Sequence, residues 1–164
     1  PGKILSELNR AIKNTLKQGG GKDSTKDGMD AAICTVDLDT NTMVYSGAYR
    51  PLWKIQNGEL EEVKATKVAV AGFTPDDQIF DEHIIQLKKG QKFYMTTDGY
   101  ADQFGGERGK KLKVKAMKNH LLSICDLDYA EQAKLLEKEI VDWMEGYEVK
   151  CEQIDDICVI GFEV

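Results

Sequence analysis

A two-residue turn restricts this chain more than any other feature. Asn57-Gly58 stands between the runs PLWKIQ (Pro51 to Gln56) and Leu60 to Val63, and Asn-Gly is the pair that best supplies the two positive φ angles of a tight hairpin. A parallel connection needs a dozen residues or more, so these runs can only pair antiparallel. Two further pairs follow the same pattern. Met29 to Leu38 (MDAAICTVDL) and Thr42 to Ala48 (TMVYSGA) flank the polar tetrad Asp39, Thr40, Asn41 and Thr42. After a loop around Ala71-Gly72-Phe73-Thr74-Pro75, His83 to Leu87 and Lys92 to Thr97 (KFYMTT) are separated by Lys88-Lys89-Gly90, which predicts another antiparallel pairing. The expected sheet meanders and contains no βαβ unit.

Helical spacing governs the rest. From Lys3 to Lys17 the apolar residues Ile4, Leu5, Leu8, Ala11, Ile12 and Leu16 share one face, and Gly19, Gly20 and Gly21 with the polar stretch through Lys26 predict a loop after it. Lys111 to Ile124 and Tyr129 to Met144 read as two more helices, the second stopped by Gly146. A last strand, Ile157 to Phe162, is entered through Asp155-Asp156. The order of helix, antiparallel strands, two helices and strand predicts an α+β fold, antiparallel sheets packed with helices. At 164 residues with 41% hydrophobic composition, the chain is in the range of one globular domain with a real core.

The formal charge of −6 argues against nucleic acid as a partner. The one basic cluster, Arg108, Lys110, Lys111, Lys113, Lys115 and Lys118, shares its stretch with Leu112, Val114 and Met117 and is expected to be a solvated helix face. Cys34, Cys125, Cys151 and Cys158 form no C-x-x-C pair and have no histidine at zinc-ligand spacing. Free thiols are expected, with Cys34, Cys125 and Cys158 in apolar runs as small buried hydrophobes, a usage that fits a reducing cytoplasm. Apolar runs fall short of the ~20 residues of a membrane span, so no membrane contact is expected from this segment.

Two places join a strand to acids: Thr96-Thr97-Asp98-Gly99-Tyr100-Ala101-Asp102, and Ile154-Asp155-Asp156-Ile157. A carboxylate fixed at a strand end, beside a glycine that admits a ligand to the backbone, suits Mg²⁺ or Mn²⁺, which take oxygen ligands and keep several waters. Asp-Gly and Asp-Asp also serve as plain turn and strand-entry pairs. Asp27-Gly28-Met29-Asp30, beside a polar loop, is expected to be such a turn. His83 and His120 lie apart from these acids in sequence and read as surface or partly packed residues.

In order along the chain, PGKILSELNRAIKNTL, DGMDAAICTVDLDTNTMVYSGAYRPLWKI, FYMTTDGYADQFGG and QIDDICVIGF resemble the type 2C-like metal-dependent protein phosphatases, in the branch of the bacterial stage II sporulation and stress-response serine phosphatases. The resemblance implies an α/β/β/α sandwich and hydrolysis of phosphoserine or phosphothreonine by water activated between two metal ions, Mn²⁺ or Mg²⁺, without a phosphoenzyme. It implies that Asp98 and Asp155 are metal ligands and catalytic, with Gly99 beside them. Asp156 falls where relatives carry Asp or Asn and would orient Asp155. Asp102 resembles a position serving a weaker third metal, although its usual partner acid has no counterpart at Ser46-Gly47-Ala48-Tyr49-Arg50.

The family's D-x-S-G-H-G motif, whose aspartate bridges both metals, does not occur here. Residues 1–164 are therefore expected to be a single partial phosphatase-like domain, N-terminally incomplete, whose parent is an enzyme in cytoplasmic signalling. The implied partner is a phosphorylated regulator such as an anti-sigma-factor antagonist. The alternative is a non-catalytic binding or regulatory module lacking the bridging aspartate. Exposed strand edges lead to the further expectation of a homodimer.

Overall fold

The computed structural model describes residues 1–18 and 25–164. The predicted loop at Gly19, Gly20 and Gly21 lies outside the described residues for most of its length. The chain divides into two compact units, Pro1–Trp53 with Glu62–Lys89, and Lys54–Glu61 with Gly90–Val164.

The first unit begins with α1 (Gly2–Thr15), followed by β1 (Gly28–Met29), β2 (Ala31–Asp37) and β3 (Thr42–Ala48). The hairpin of β4 (Leu52–Gln56) and β5 (Glu59–Val63) belongs for the most part to the second unit, and β6 (Val70–Ala71) and β7 (His83–Gln86) belong to the first. A three-stranded antiparallel sheet has the order β2-β3-β7, and β1 pairs with β6. Leu5, Ala48, Val70 and Phe80 form a core closed by Leu8, Ile12, Ala31, Ile33 and Val68. Leu5, Leu8 and Ile12 of the face predicted for the first helix enter this core, whereas Ile4, Ala11 and Leu16, predicted on the same face, are exposed. Asn9 is buried among these residues with its amide satisfied at both ends, accepting from the Ala71 N–H at 2.7 Å and donating to the Pro75 carbonyl at 2.7 Å. Asp27-Gly28-Met29-Asp30 is not the plain turn expected: Gly28–Met29 pairs with Val70–Ala71, and Arg50 donates to Asp30.

The second unit carries β8 (Lys92–Thr96), α2 (Gly99–Asp102), β9 (Phe104–Gly105), β10 (Lys110–Lys111), α3 (Val114–Ile124), α4 (Tyr129–Glu145) and β11 (Val159–Glu163). The larger sheet has the order β11-β8-β4-β5, and β11 pairs antiparallel with β8 from Val159↔Thr96 to Glu163↔Lys92. Phe93 stacks on Phe162 at 5.3 Å between ring centroids. Asp128 caps α4 by accepting the Glu131 N–H at 2.8 Å.

The α+β class and two of the three expected strand pairings hold, β2 with β3 and β4 with β5, and the Asn57-Gly58 turn takes positive φ at both residues, 52° and 76°. Four details differ. β7 and β8 do not pair with each other; β7 joins β3, while β8 lies between β11 and β4. The Leu87 N–H still bonds to Asn41, whereas the Gly90 N–H already bonds to Val164, so the chain changes sheets across Lys88-Lys89. The predicted helix at Lys111 starts at Val114, because Lys113 adopts φ 75° and sends its N–H to the Ala101 carbonyl. Lys110 and Lys111 lie in β10, so the basic run is divided between a strand and a helix. None of the four cysteines is in a disulfide; Cys125 is buried, Cys34 half-buried and Cys158 exposed, contrary to its expected burial.

Candidate functional site

The two acid-bearing segments, distant in sequence, lie side by side in the second unit. Pairing of β8 with β11 brings the end of one strand next to the entrance of the other. Thr97 continues that pairing beyond the strand. Its N–H donates to the Cys158 carbonyl at 3.0 Å, its hydroxyl donates to the Asp156 carbonyl at 2.9 Å, and the Cys158 N–H donates to its Oγ1 at 2.9 Å. Asp98 follows directly at the N-cap position of α2, where its side chain makes no capping hydrogen bond to the helix.

Gly99 permits the approach. A Cβ at that position would stand 2.5 Å from the Asp156 carbonyl oxygen and 3.0 Å from its carbon. Absence of a side chain, rather than positive φ, is the reason for glycine here. On the other strand entry, Asp155 Oδ1 accepts the Asp156 N–H at 2.7 Å, which fixes the carboxylate relative to its own backbone. The Asp155 carbonyl accepts from the Gln153 amide at 2.8 Å.

The predicted residues differ in environment. Asp98 and Asp102 are half-buried, while Asp155 and Asp156 are exposed. Asp102 is paired with Lys111, Oδ2 to Nζ at 2.8 Å. Among the described residues no group of three or more His, Cys, Asp or Glu side chains is arranged to hold a metal ion. The oxygen donors at the junction match what a hard cation takes, and such an ion is commonly held by one or two carboxylates with water and substrate completing its shell.

His83 stacks on Tyr45, with ring centroids 5.9 Å apart. His120 Nδ1 lies 3.4 Å from Glu139 Oε1, and the Tyr100 hydroxyl reaches Oε2 of the same carboxylate at 2.6 Å. Burial, followed by the Glu139 contact, pushes the Tyr100 hydroxyl well above its ordinary value, so it stays a donor. Thr97, Tyr100 and Gln103 were not singled out from sequence. All three lie within TTDGYADQFGG, so the signal was their place in that run rather than their residue type.

Residues 1–164 match the family model described as Stage II sporulation protein E (SpoIIE). No curated protein matches the chain. Among solved structures, the SiaA-PP2C domain of Pseudomonas aeruginosa is 26% identical with a TM-score of 0.84, over 100% of this chain and 61% of that one. The chain thus spans less than two thirds of that relative. The Mn-presoaked phosphatase domain of the cell fate determinant SpoIIE from Bacillus subtilis is 18% identical with a TM-score of 0.62, over 99% of this chain and 72% of that chain. RsbX in complex with magnesium is 19% identical with a TM-score of 0.60, over 97% and 62%. No helix among the described residues is long and apolar enough to cross a membrane.

Proposed function

The chain belongs to the stage II sporulation protein E family, and from that membership we propose that residues 1–164 are part of one metal-dependent phosphatase domain that acts on phosphoserine or phosphothreonine. The observation that carries this reading is the junction of TTDG and IDDI, where Thr97 and Gly99 bring the backbone of Asp98 against that of Asp156. Asp98 and Asp155 would hold a divalent cation, Mn²⁺ or Mg²⁺, and the metals named with the Bacillus domain and RsbX support that choice. When bound, such an ion supplies Lewis-acid polarisation and a nucleophile at neutral pH. The chain's own residues hold the geometry. Asp156 presents its N–H to the Asp155 carboxylate, and Thr97 keeps the two strand ends in register. Asp102 is engaged by Lys111 and has the weakest claim to a metal.

The substrate in this reading is a phosphorylated regulatory protein, such as an anti-sigma-factor antagonist, in the cytoplasm. Pairing of two copies through an edge strand belongs to the same proposal; β2 is such an edge, with Val36 42% exposed. A monomer by light scattering at high concentration would exclude it. A second reading, a non-catalytic binding module, is favoured by the pairing of Asp102 with Lys111, which leaves Asp98 and Asp155 as the chief acids of the site.

The deciding experiment is Mn²⁺-dependent hydrolysis of p-nitrophenyl phosphate by this chain and by any longer form its gene encodes, with Asp98→Asn and Asp155→Asn of each. Activity lost in both substitutions supports the phosphatase. Hydrolysis that survives both removes these aspartates from the mechanism, and inactivity of every form selects the binding module.

A further inference from the structure

Gln103 follows α2 with an extended backbone, φ −58° and ψ 128°, and is 0% exposed. A primary amide is stable in such a place only if its polar atoms are answered. Its backbone carbonyl accepts the Leu112 N–H at 3.0 Å and the Trp143 indole N–H at 3.1 Å. Its side-chain nitrogen donates to the carbonyls of Glu152 at 2.8 Å and Phe104 at 3.0 Å, and its side-chain oxygen accepts the Ile154 N–H at 3.3 Å. The amide therefore meets the backbone of residues 152–154 with one donor and one acceptor, as a neighbouring strand would.

The placement has leverage on the acids. Gln103 lies five residues after Asp98, and the run it grips ends one residue before Asp155. Thr97 and Gly99 fix the other side of Asp155, at Asp156 and Cys158. Asp155 thus sits between two clamps, both anchored on the segment that carries Asp98. A neutral amide suits the task because it holds the backbone without adding a charge that would compete with a cation for the carboxylates.

We propose that Gln103 is a positioning residue that sets Asp155 relative to Asp98, and so sets the affinity of the pair for a divalent cation. The proposal rests on the reading of those two aspartates as ligands. The alternative role is core filling, which would affect melting temperature without changing cation affinity.

The test uses Gln103→Ala and Gln103→Met in the full 164-residue chain; methionine keeps the volume and removes both hydrogen-bonding functions. Metal-free hydrogen exchange is followed at Ile154 to Cys158, with α3 and α4 as internal references, and Mn²⁺ affinity is measured by electron paramagnetic resonance. The expected result is exchange about tenfold faster or more at Ile154 to Cys158, references unchanged, and a Kd for Mn²⁺ raised about 10- to 100-fold. Unchanged exchange there overturns the proposal, as does faster exchange with unchanged affinity. Loss of protection throughout α3 and α4 in Gln103→Met assigns the residue to the core and also overturns it. If the parent chain binds no Mn²⁺, the ligand reading of Asp98 and Asp155 fails and the affinity claim with it, while exchange still decides whether the clamp exists.

Discussion

Replacing Gly99 by alanine adds one methyl group at the point where the two acid-bearing segments touch. In an isolated helix the change would be favourable, worth about 0.5–1 kcal/mol. Here the new Cβ would lie 2.5 Å from the Asp156 carbonyl oxygen, where contacts below 3.0 Å are essentially never seen. The obstacle is backbone, which Thr97 holds through the Asp156 and Cys158 groups, so no side-chain rotation can relieve it. One segment must yield by about 0.5 Å or more, and overpacking of this kind costs about 1–3 kcal/mol. The clash therefore exceeds the propensity gain, for a net loss of about 1–2 kcal/mol and a fall in Tm of about 2–8 °C. The larger effect is expected at the site, since a misplacement of about 1 Å can cost about 100-fold in rate. Circular dichroism melts and Mn²⁺-dependent hydrolysis of p-nitrophenyl phosphate, or Mn²⁺ binding in a form without turnover, measure the two consequences. A Gly99→Ala protein with unchanged Tm and unchanged Mn²⁺ behaviour would refute the close approach as the reason for glycine.

Other glycines should separate strain from crowding. Gly58 has φ +76° and open space around its Cβ position, whereas a Cβ on Gly105 would run into the Trp143 backbone carbonyl. In urea titrations Gly58→Ala should cost about 1 kcal/mol and Gly105→Ala about 3 kcal/mol, and the reverse order would contradict this account. Asp128→Ala removes the cap of α4 and should cost about 1 kcal/mol by the same measurement, with no change in cation binding. Burial raises the Cys34 thiol from 9.0 to about 11 and the Tyr129 hydroxyl from 10.0 to about 12, and it raises Tyr45, Tyr94 and Tyr100 as well. The fold favours these neutral acids, so their contribution is intact below the unfolded values and is lost as pH climbs through the folded ones. Tm should fall more steeply between pH 9 and 12 than between pH 7 and 9; a curve without that break would count against their burial.

The turn chemistry was legible in the sequence because it is local. Asn57-Gly58 specifies its own φ values, and the chain obeys them. Lys88-Lys89-Gly90 looked similar, but the alternating pattern of the flanking runs says only that each is a strand, not which sheet it joins. The helix expected from Lys111 begins later because Met117, Leu121 and Ile124 set a helical period without marking where it starts, while the Lys113 N–H is taken by Ala101 from another element. Tertiary contact overrode a local preference. The acids at strand ends were visible as motifs. Gln103 was not, because a glutamine reads as surface until its neighbours are known, and its five hydrogen bonds come from residues 104, 112, 143, 152 and 154.

The stitch between Thr97 and Cys158 closes a loop of 61 residues, and this has a consequence for the order of events in folding. The hairpin at Asn57-Gly58 can form within microseconds from its own residues. The acid junction must wait until a long segment with two helices has been traversed and its closure entropy met. On a ribosome adding about 5–20 residues per second, Asp98 emerges seconds before Asp155 can reach it. On the proposed reading of Asp98 and Asp155 as ligands, cation capture would be a late event, and the onset of Mn²⁺ binding during refolding would serve as a clock for the docking of the last strand.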